Sequence, residues 1–463
     1  MDFARELNLR PDIIEKDYVL GWLLAGIFHY EPFRSSWIFK GGTCMKKCFF
    51  ETYRFSEDLD FTLTDSAHLD PLLLANAFTE ITNWIYEQSG IEFPLEDRRF
   101  DIYNNPRGNI SVNGRIGYRG PLRPGGGLPR IRLDLTNDEL LVFDPIVREV
   151  HHPYSDKTED LFSITSYSYE ELFAEKIRAL AERERPRDLY DVVYLYRQDG
   201  IRPDRVLLLE ALKKKCEFKG IHVPTMEILE GKPEKVELET EWANMLAHQL
   251  PTLPPFVSFW RELPEVFIWL YESKEKAATT SIPSGALADL TWKPPAMAKA
   301  WGEKTPIEVI RFAAANHLCV NLTYKGSKRL IEPYSLRRTK DGNILLHAVK
   351  HNTGEPRSYR LDQIEGALVS DVSFVPKYAI ELTPSGPISV PESSKMPRAT
   401  FVKKTVRKLH TSRASKYGPK YIFECSFCRK RFSHSKNDNK LNKHKDKNGY
   451  PCPGKTGYLL DIR

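Results

Sequence analysis

The first two hundred residues switch repeatedly between two hydrophobic periods. Apolar residues recur at helical spacing across 13–27, which predicts an amphipathic helix. Residues 37–39 form a short apolar strand that stops at Lys40-Gly41-Gly42-Thr43, and 44–50 can restart as a helix. Residues 59–63 alternate around acids, and 130–135 (RIRLDL) alternate strictly, so both read as strands. A long helical pattern over 169–196 is interrupted near Pro186. This mixture predicts an α+β fold. Further along, a helix over 306–317 precedes strand-like runs at 319–324, 344–349 and 358–361, with turns at Lys325-Gly326 and Asp341-Gly342. Short strands over about 80 residues suggest a small barrel.

Two stretches break the pattern. Residues 277–301 are rich in Ala, Ser, Thr and Pro, and 385–399 (SGPISVPESSKMPRA) are similar. They divide the chain into a domain over 1–275, a linker over 276–302, a barrel domain over 303–383, a linker over 384–400 and a module over 401–463. No internal repeat is visible.

Composition adds exclusions. No run of eighteen apolar residues occurs in the 463, which excludes a spanning helix. The first residues, MDFARELNLRPD, lack the apolar core of a secretory signal. Seven cysteines are too sparse for a disulfide scaffold, so a reducing, cytoplasmic setting is expected. The net charge of +6 is unevenly spread: residues 401–463 hold 17 Lys and Arg against 4 Asp and Glu, a net of +13. The body is therefore acidic, and the tail is suited to a polyanion.

The richest chemistry lies in residues 39–61, FKGGTCMKKCFFETYRFSEDLDF. A Gly-Gly-Thr turn sits between strand and helix, and Asp58-Leu59-Asp60 comes fifteen residues after Thr43. Alternate strand residues share a face, so Asp58 and Asp60 converge. Paired carboxylates suit Mg²⁺ and its phosphate ligands. Gly41 and Gly42 let the backbone approach those phosphates, and Thr43 adds a hydroxyl. Asp134, polar between Leu133 and Leu135, is the candidate third acid, as general base or second metal ligand. Cys44 and Cys48 read as core residues, and Lys16 and Asp17 as packing or pairing residues.

The GGT turn with RFSEDLDF resembles the polymerase-β-like nucleotidyltransferases, and within them the AbiEii/AbiGii toxin group. Residues 168–195 (SYEELFAEKIRALAERERPRDLYDVVYL) resemble that group's Glu-Lys…Arg-Asp-x-x-Asp block, and 13–24 its opening helix. The resemblance implies a polymerase-β-like domain with a helical C-terminal part. Asp58 and Asp60 match the metal ligands. Ser56 matches a serine placed to contact phosphate or the catalytic aspartate, which is a self-modification site in some relatives. Gly42 and Thr43 match the phosphate turn, Lys176 a nucleotide-contacting lysine, and Arg187, Asp188 and Asp191 the later signature. The gap from the glycines to Asp58 is longer than in many polymerase-β-like members and usual for this group. The resemblance further implies Mg²⁺-dependent transfer of a nucleotide from an NTP to an RNA, with tRNA expected, and a separate antitoxin protein as partner. Alternatives are a protein acceptor, or a nucleic-acid-bound regulator that senses a nucleotide.

Residues 307–366 resemble a WYL domain, a small Sm-like barrel. Ile344-Leu345-Leu346 stands where the eponymous Trp-Tyr-Leu is expected, and Gln363 replaces a late arginine. The resemblance makes Arg329, Arg337, Arg357 and Arg360 candidate nucleic-acid or nucleotide contacts; the plain alternative is ordinary surface arginine. In the tail, Cys425 and Cys428 have two residues between them, fifteen separate Cys428 from His444, and seven separate His444 from Cys452. Thiolates and imidazole suit tetrahedral Zn²⁺, with His434 a rival fourth ligand. Arg429, Lys430 and Arg431 between Phe427 and Phe432, with a basic lead-in over 403–416, suit nucleic-acid backbone and bases.

Overall fold

The helical period near the N-terminus forms α1, Pro11–His29, with proline at its first turn, where a missing N–H costs no hydrogen bond. Val19 to Phe28 are buried almost without interruption, so α1 is an internal helix. It packs on α2, Pro71–Ser89, which Asp70 caps through the Leu72 amide and which ends at Gly90 with φ +72°. In this computed structural model the described residues are 4–5, 7–105, 107–122, 127–156, 163–198, 201–230, 235–272, 280–283, 307–338, 344–382, 421–425, 428, 430–434, 438–445, 451–452 and 454–462. The chain divides into two compact units, Met1–Ser394 and Lys395–Arg463.

The first unit is built on a seven-stranded mixed sheet. Its strands are β1 Trp37–Lys40, β2 Asp58–Leu63, β3 Arg98–Asn104, β4 Ile110–Gly117, β5 Arg130–Thr136, β6 Ile146–Glu149 and β7 Ser163–Ser166, in the order β3-β4-β5-β2-β1-β7-β6. Alternation dictates its faces. Ile131, Leu133 and Leu135 of β5 are fully buried, and Arg130, Arg132 and Asp134 take the other side. The restart after the glycines is not one regular helix. One α-turn, Gly41–Cys44, runs into a π-turn, Met45–Phe49. Both Lys46 and Lys47 are consequently turned inward, and Lys47 Nζ lies 2.7 Å from Asp17.

The long helical pattern divides at Pro186, as expected, into α3 (Tyr169–Arg183) and α4 (Pro186–Arg197). Glu184, with φ +45°, makes the corner. Helix α3 packs on α5, Arg205–Lys219, and α4 packs on α6, Lys235–Leu246, and α7, Phe256–Glu272.

Helix α8, Ile307–Ala315, lies on a five-stranded antiparallel sheet. Its strands are β8 Leu318–Tyr324, β9 Ser327–Arg338, β10 Ile344–Lys350, β11 Pro356–Arg360 and β12 Ile364–Ser373, in the order β11-β10-β9-β8-β12. Residues 280–283 of the first expected linker belong here: Ser281 bridges to Ala379, and Ile282 is buried beside Tyr334 and Phe374. The remainder of that linker, and the second linker, lie outside the described residues. This small domain shares its core with the body built on the seven-stranded sheet. Arg311 of α8 is buried and pairs with Glu51 at 2.7 Å, and the Tyr190 hydroxyl donates to Asn316 Oδ1 at 2.8 Å.

In the second unit, β13 (Tyr421–Cys425) pairs antiparallel with β14 (Arg431–His434) and β15 (Gly457–Ile462). No described helix is long and apolar enough to cross a membrane.

Candidate active site

Parallel pairing of β2 with β5 sets Asp58 opposite Arg132 and Asp60 opposite Asp134. Antiparallel pairing of β1 with β2 sets Lys40 opposite Asp60. Asp58, Asp60 and Asp134 therefore occupy one face of two adjacent, paired strands. Burial and the neighbouring Asp134 carboxylate push Asp60 up to about 6, against the pull of Lys40 and Lys176. Burial raises Asp58 too. The Tyr103 hydroxyl donates to Asp134 Oδ1 at 2.9 Å. Two of these three neighbouring carboxylates are destabilised as anions, a condition that a hard divalent cation nearby would relieve.

The glycine turn meets these acids edge-on. Gly41 has φ +82°, and a Cβ there would fall 2.0 Å from Asp60 Oδ2. A Cβ on Gly42 would lie 3.1 Å from Ser56 Oγ, so the serine hydroxyl sits against the turn. The Thr43 hydroxyl donates to the Asp58 carbonyl, tying the turn to the strand that carries both aspartates.

The α3–α4 block supplies a buried clamp. Lys176 Nζ is 2.8 Å from Asp191 Oδ2, and Arg54 grips the same carboxylate through Nε at 2.7 Å and Nη2 at 2.8 Å. These cations hold Asp191 well below the usual carboxylate range, even though it is wholly buried. Asp188 is held by Arg183 through two bonds of 2.8 Å. Asp188 and Asp191 thus position cations. Arg187 differs: it is partly exposed, lies near Asp58 and Asp191, and forms no ion pair among the described residues.

Lys40, Arg54 and Tyr103 escape the sequence reading. Lys40 abuts Gly41 and Arg54 precedes Ser56 by two, so both stand inside the motif around the glycines and aspartates. Only the fold shows that Lys40 faces Asp60 and that Arg54 reaches α4.

A family profile described as "Nucleotidyl transferase AbiEii toxin, Type IV TA system" matches residues 22–272, more than half of the chain. The chain belongs to the AbiEii nucleotidyltransferase toxin family. A WYL domain profile matches residues 307–369 of this AbiEii protein. No curated protein matches it. Among solved structures, it is similar to the nucleotidyltransferase toxin MenT4 of Mycobacterium tuberculosis, with 17% identity over 59% of this chain and 89% of the other, and a TM-score of 0.39. It is also similar to JHP933 of Helicobacter pylori, with 15% identity over 57% of this chain and 94% of the other, and a TM-score of 0.37.

In the WYL domain of this AbiEii protein, Arg329 lies near the Tyr324 and Tyr359 rings, 5.5 and 5.9 Å from their centroids. Arg357 and Arg360 make exposed pairs with Glu355 and Asp362. Arg337 is buried against Glu381.

Cys425, Cys428, His444 and Cys452 bring their ligand atoms within 4.8 Å of one another. His444 Nδ1 is 2.8 Å from the Asn442 carbonyl, a contact that leaves the Nε2 lone pair for a metal. The cluster fits a zinc module, and among the described residues its buried apolar core is Phe423, Cys425 and Leu441, with Tyr421 and Phe432 packed against it. The side chain of His434 lies outside the described residues, as do Arg429, Phe427 and the basic lead-in. Lys430 is exposed, and Arg431 pairs with Glu424 at 3.1 Å.

Proposed function

We propose that this toxin transfers a nucleotide from an NTP to a hydroxyl of an RNA, with tRNA the expected acceptor. The observation that carries the reading is the row of Asp58, Asp60 and Asp134 on paired strands beside Gly41. Asp58 and Asp60 would hold Mg²⁺, which when bound supplies Lewis-acid neutralisation of the reacting phosphate. Gly41 and Gly42 admit the triphosphate to the backbone. Arg187, without a protein partner among the described residues, meets its charge, and Lys176 is held at the acids by Asp191. Asp134 retains one oxygen not engaged by Tyr103 and takes the proton of the attacking hydroxyl. The acceptor oxygen bonds to the α-phosphorus, the bridging P–O bond to the β-phosphate breaks, and pyrophosphate leaves with the electron pair. A Zn²⁺ held by the tail cysteines and His444 would order that module, whose basic residues suit RNA. An antitoxin protein is the expected partner.

Incubation of the full chain with Mg²⁺ and each labelled NTP, in the presence of total RNA and total protein, tests this. RNA should become labelled, and Asp58→Asn and Asp60→Asn should each reduce labelling at least about a thousandfold. Label in protein alone would move the acceptor to a protein. No label in either, with a folded and metal-loaded chain, would sink the enzyme reading.

A further inference from the structure

The face of the sheet that carries the aspartates continues outward into a row of arginines. Register sets Arg132 opposite Asp58, Arg115 opposite Arg132, and Arg99 opposite Arg115. All three are exposed, and none makes an ion pair or side-chain hydrogen bond among the described residues. The next basic residue of β5, Arg130, is by contrast paired with Asp97 at 3.1 Å. Like charges directly opposite one another across strands repel and lower stability. Three in line, none of them ion-paired among the described residues, are a site for something anionic and repeating.

Position decides what. In the strand order β3-β4-β5-β2-β1, the glycine turn comes after β1 on one side of Asp58 and Asp60, and the arginines lie on the other. The row extends about 14 Å from Asp58, at about 4.8 Å per strand. A triphosphate seated at Gly41 and Gly42 extends in the opposite sense. We infer that Arg132, Arg115 and Arg99 form the track for the acceptor's sugar–phosphate backbone, with the reactive end of the RNA at Asp58, Asp60 and Asp134 and its preceding phosphates laid across β5, β4 and β3. This rests on the proposed RNA acceptor and adds where it lies and in which direction. Contacts of this kind hold phosphates and read no bases, so the track supplies affinity and polarity without sequence choice. An acidic protein acceptor would also meet the charge, but an evenly spaced row fits successive phosphates better.

The test uses the full chain and a fluorescein-labelled oligouridylate, whose affinity is tracked against salt. Each phosphate contact contributes about 0.7 to the slope of log K on log salt for a single strand. Arg99→Gln/Arg115→Gln/Arg132→Gln should reduce the slope by about 2 and weaken binding at least tenfold at low salt. The corresponding triple lysine variant should restore the slope. Should the triple variant not fold, Arg115→Gln alone should remove about 0.7. A slope moved by less than about 0.3 in a folded variant overturns the track. Transfer assays separate this from the wider reading. If wild type labels RNA and the glutamine variant keeps its slope and its KM for RNA, the track alone fails. If wild type labels no RNA but the variant loses slope, the track stands and the transfer reading fails. If RNA binding is unmoved while labelling of a protein is lost, the row serves a protein acceptor and the inference is wrong.

Discussion

Gly41 is the residue at which backbone and chemistry meet most closely. A methyl group there would both strain a φ of +82° and displace the Asp60 carboxylate. Gly41→Ala should cost about 1–2 kcal/mol of stability and separately reduce transfer by about a hundredfold, because Asp60 must move. Thermal denaturation and a pyrophosphate-release assay read the two effects separately. Lys176→Met should leave Asp191 held by Arg54 but remove a cation that favours the Asp60 anion; transfer should fall about 10–100-fold with a smaller change in NTP affinity. The shared face of Asp58 and Asp60 is legible in the sequence because strand alternation is local. Lys40 is not, because it ends a strand of four residues and its partner Asp60 is set by pairing.

Pairing between elements carries what the linear pattern hides. Strands β3 and β4 are hard to read in sequence because β3 is mostly exposed and β4 is interrupted by Asn113 and Gly114, so neither shows clean alternation. The arginine row exists only as a register. The junction of α8 with the loop after the π-turn is likewise invisible in sequence. Arg311 is buried between Glu51 and Glu308, at 2.7 and 3.0 Å. Arg311→Ala should destabilise the first unit by about 3–5 kcal/mol, and a double-mutant cycle with Glu51→Ala should show coupling above about 1.5 kcal/mol. Additivity of the two changes, measured by denaturant unfolding, would contradict this. In β10, His347 is buried, and its imidazole is pushed down to about 4 by that burial and by Arg337. The unfolded side chain protonates near its ordinary 6.5. Between these values the unfolded state binds the extra proton, so stability falls as pH drops from 6.5 towards 4. The melting temperature should decline across that interval, and His347→Gln should flatten the decline.

At the scale of the whole molecule, the spacing of the four tail ligands can be read directly, because short intervals between cysteines and histidine constrain a metal site by themselves. The fusion of the WYL domain with the catalytic body cannot, since a Pro- and Ala-rich stretch between them reads as a tether. Chelation should release about one equivalent of zinc and abolish the fixed structure of β13 to β15, while the unit Met1–Ser394 keeps its melting transition. Metal analysis with near-ultraviolet circular dichroism checks both parts.

The Arg311–Glu51 pair joins positions 260 residues apart. Translation proceeds from the N-terminus, so the loop leading into Ser56 and Asp58 waits for its buried partner until α8 has left the ribosome. Tyr190 waits in the same way for Asn316. A nascent chain interrupted before that point carries Asp58, Asp60 and Asp134 but lacks the buried partners of Glu51 and Tyr190. The first unit is thereby completed only late in its own synthesis.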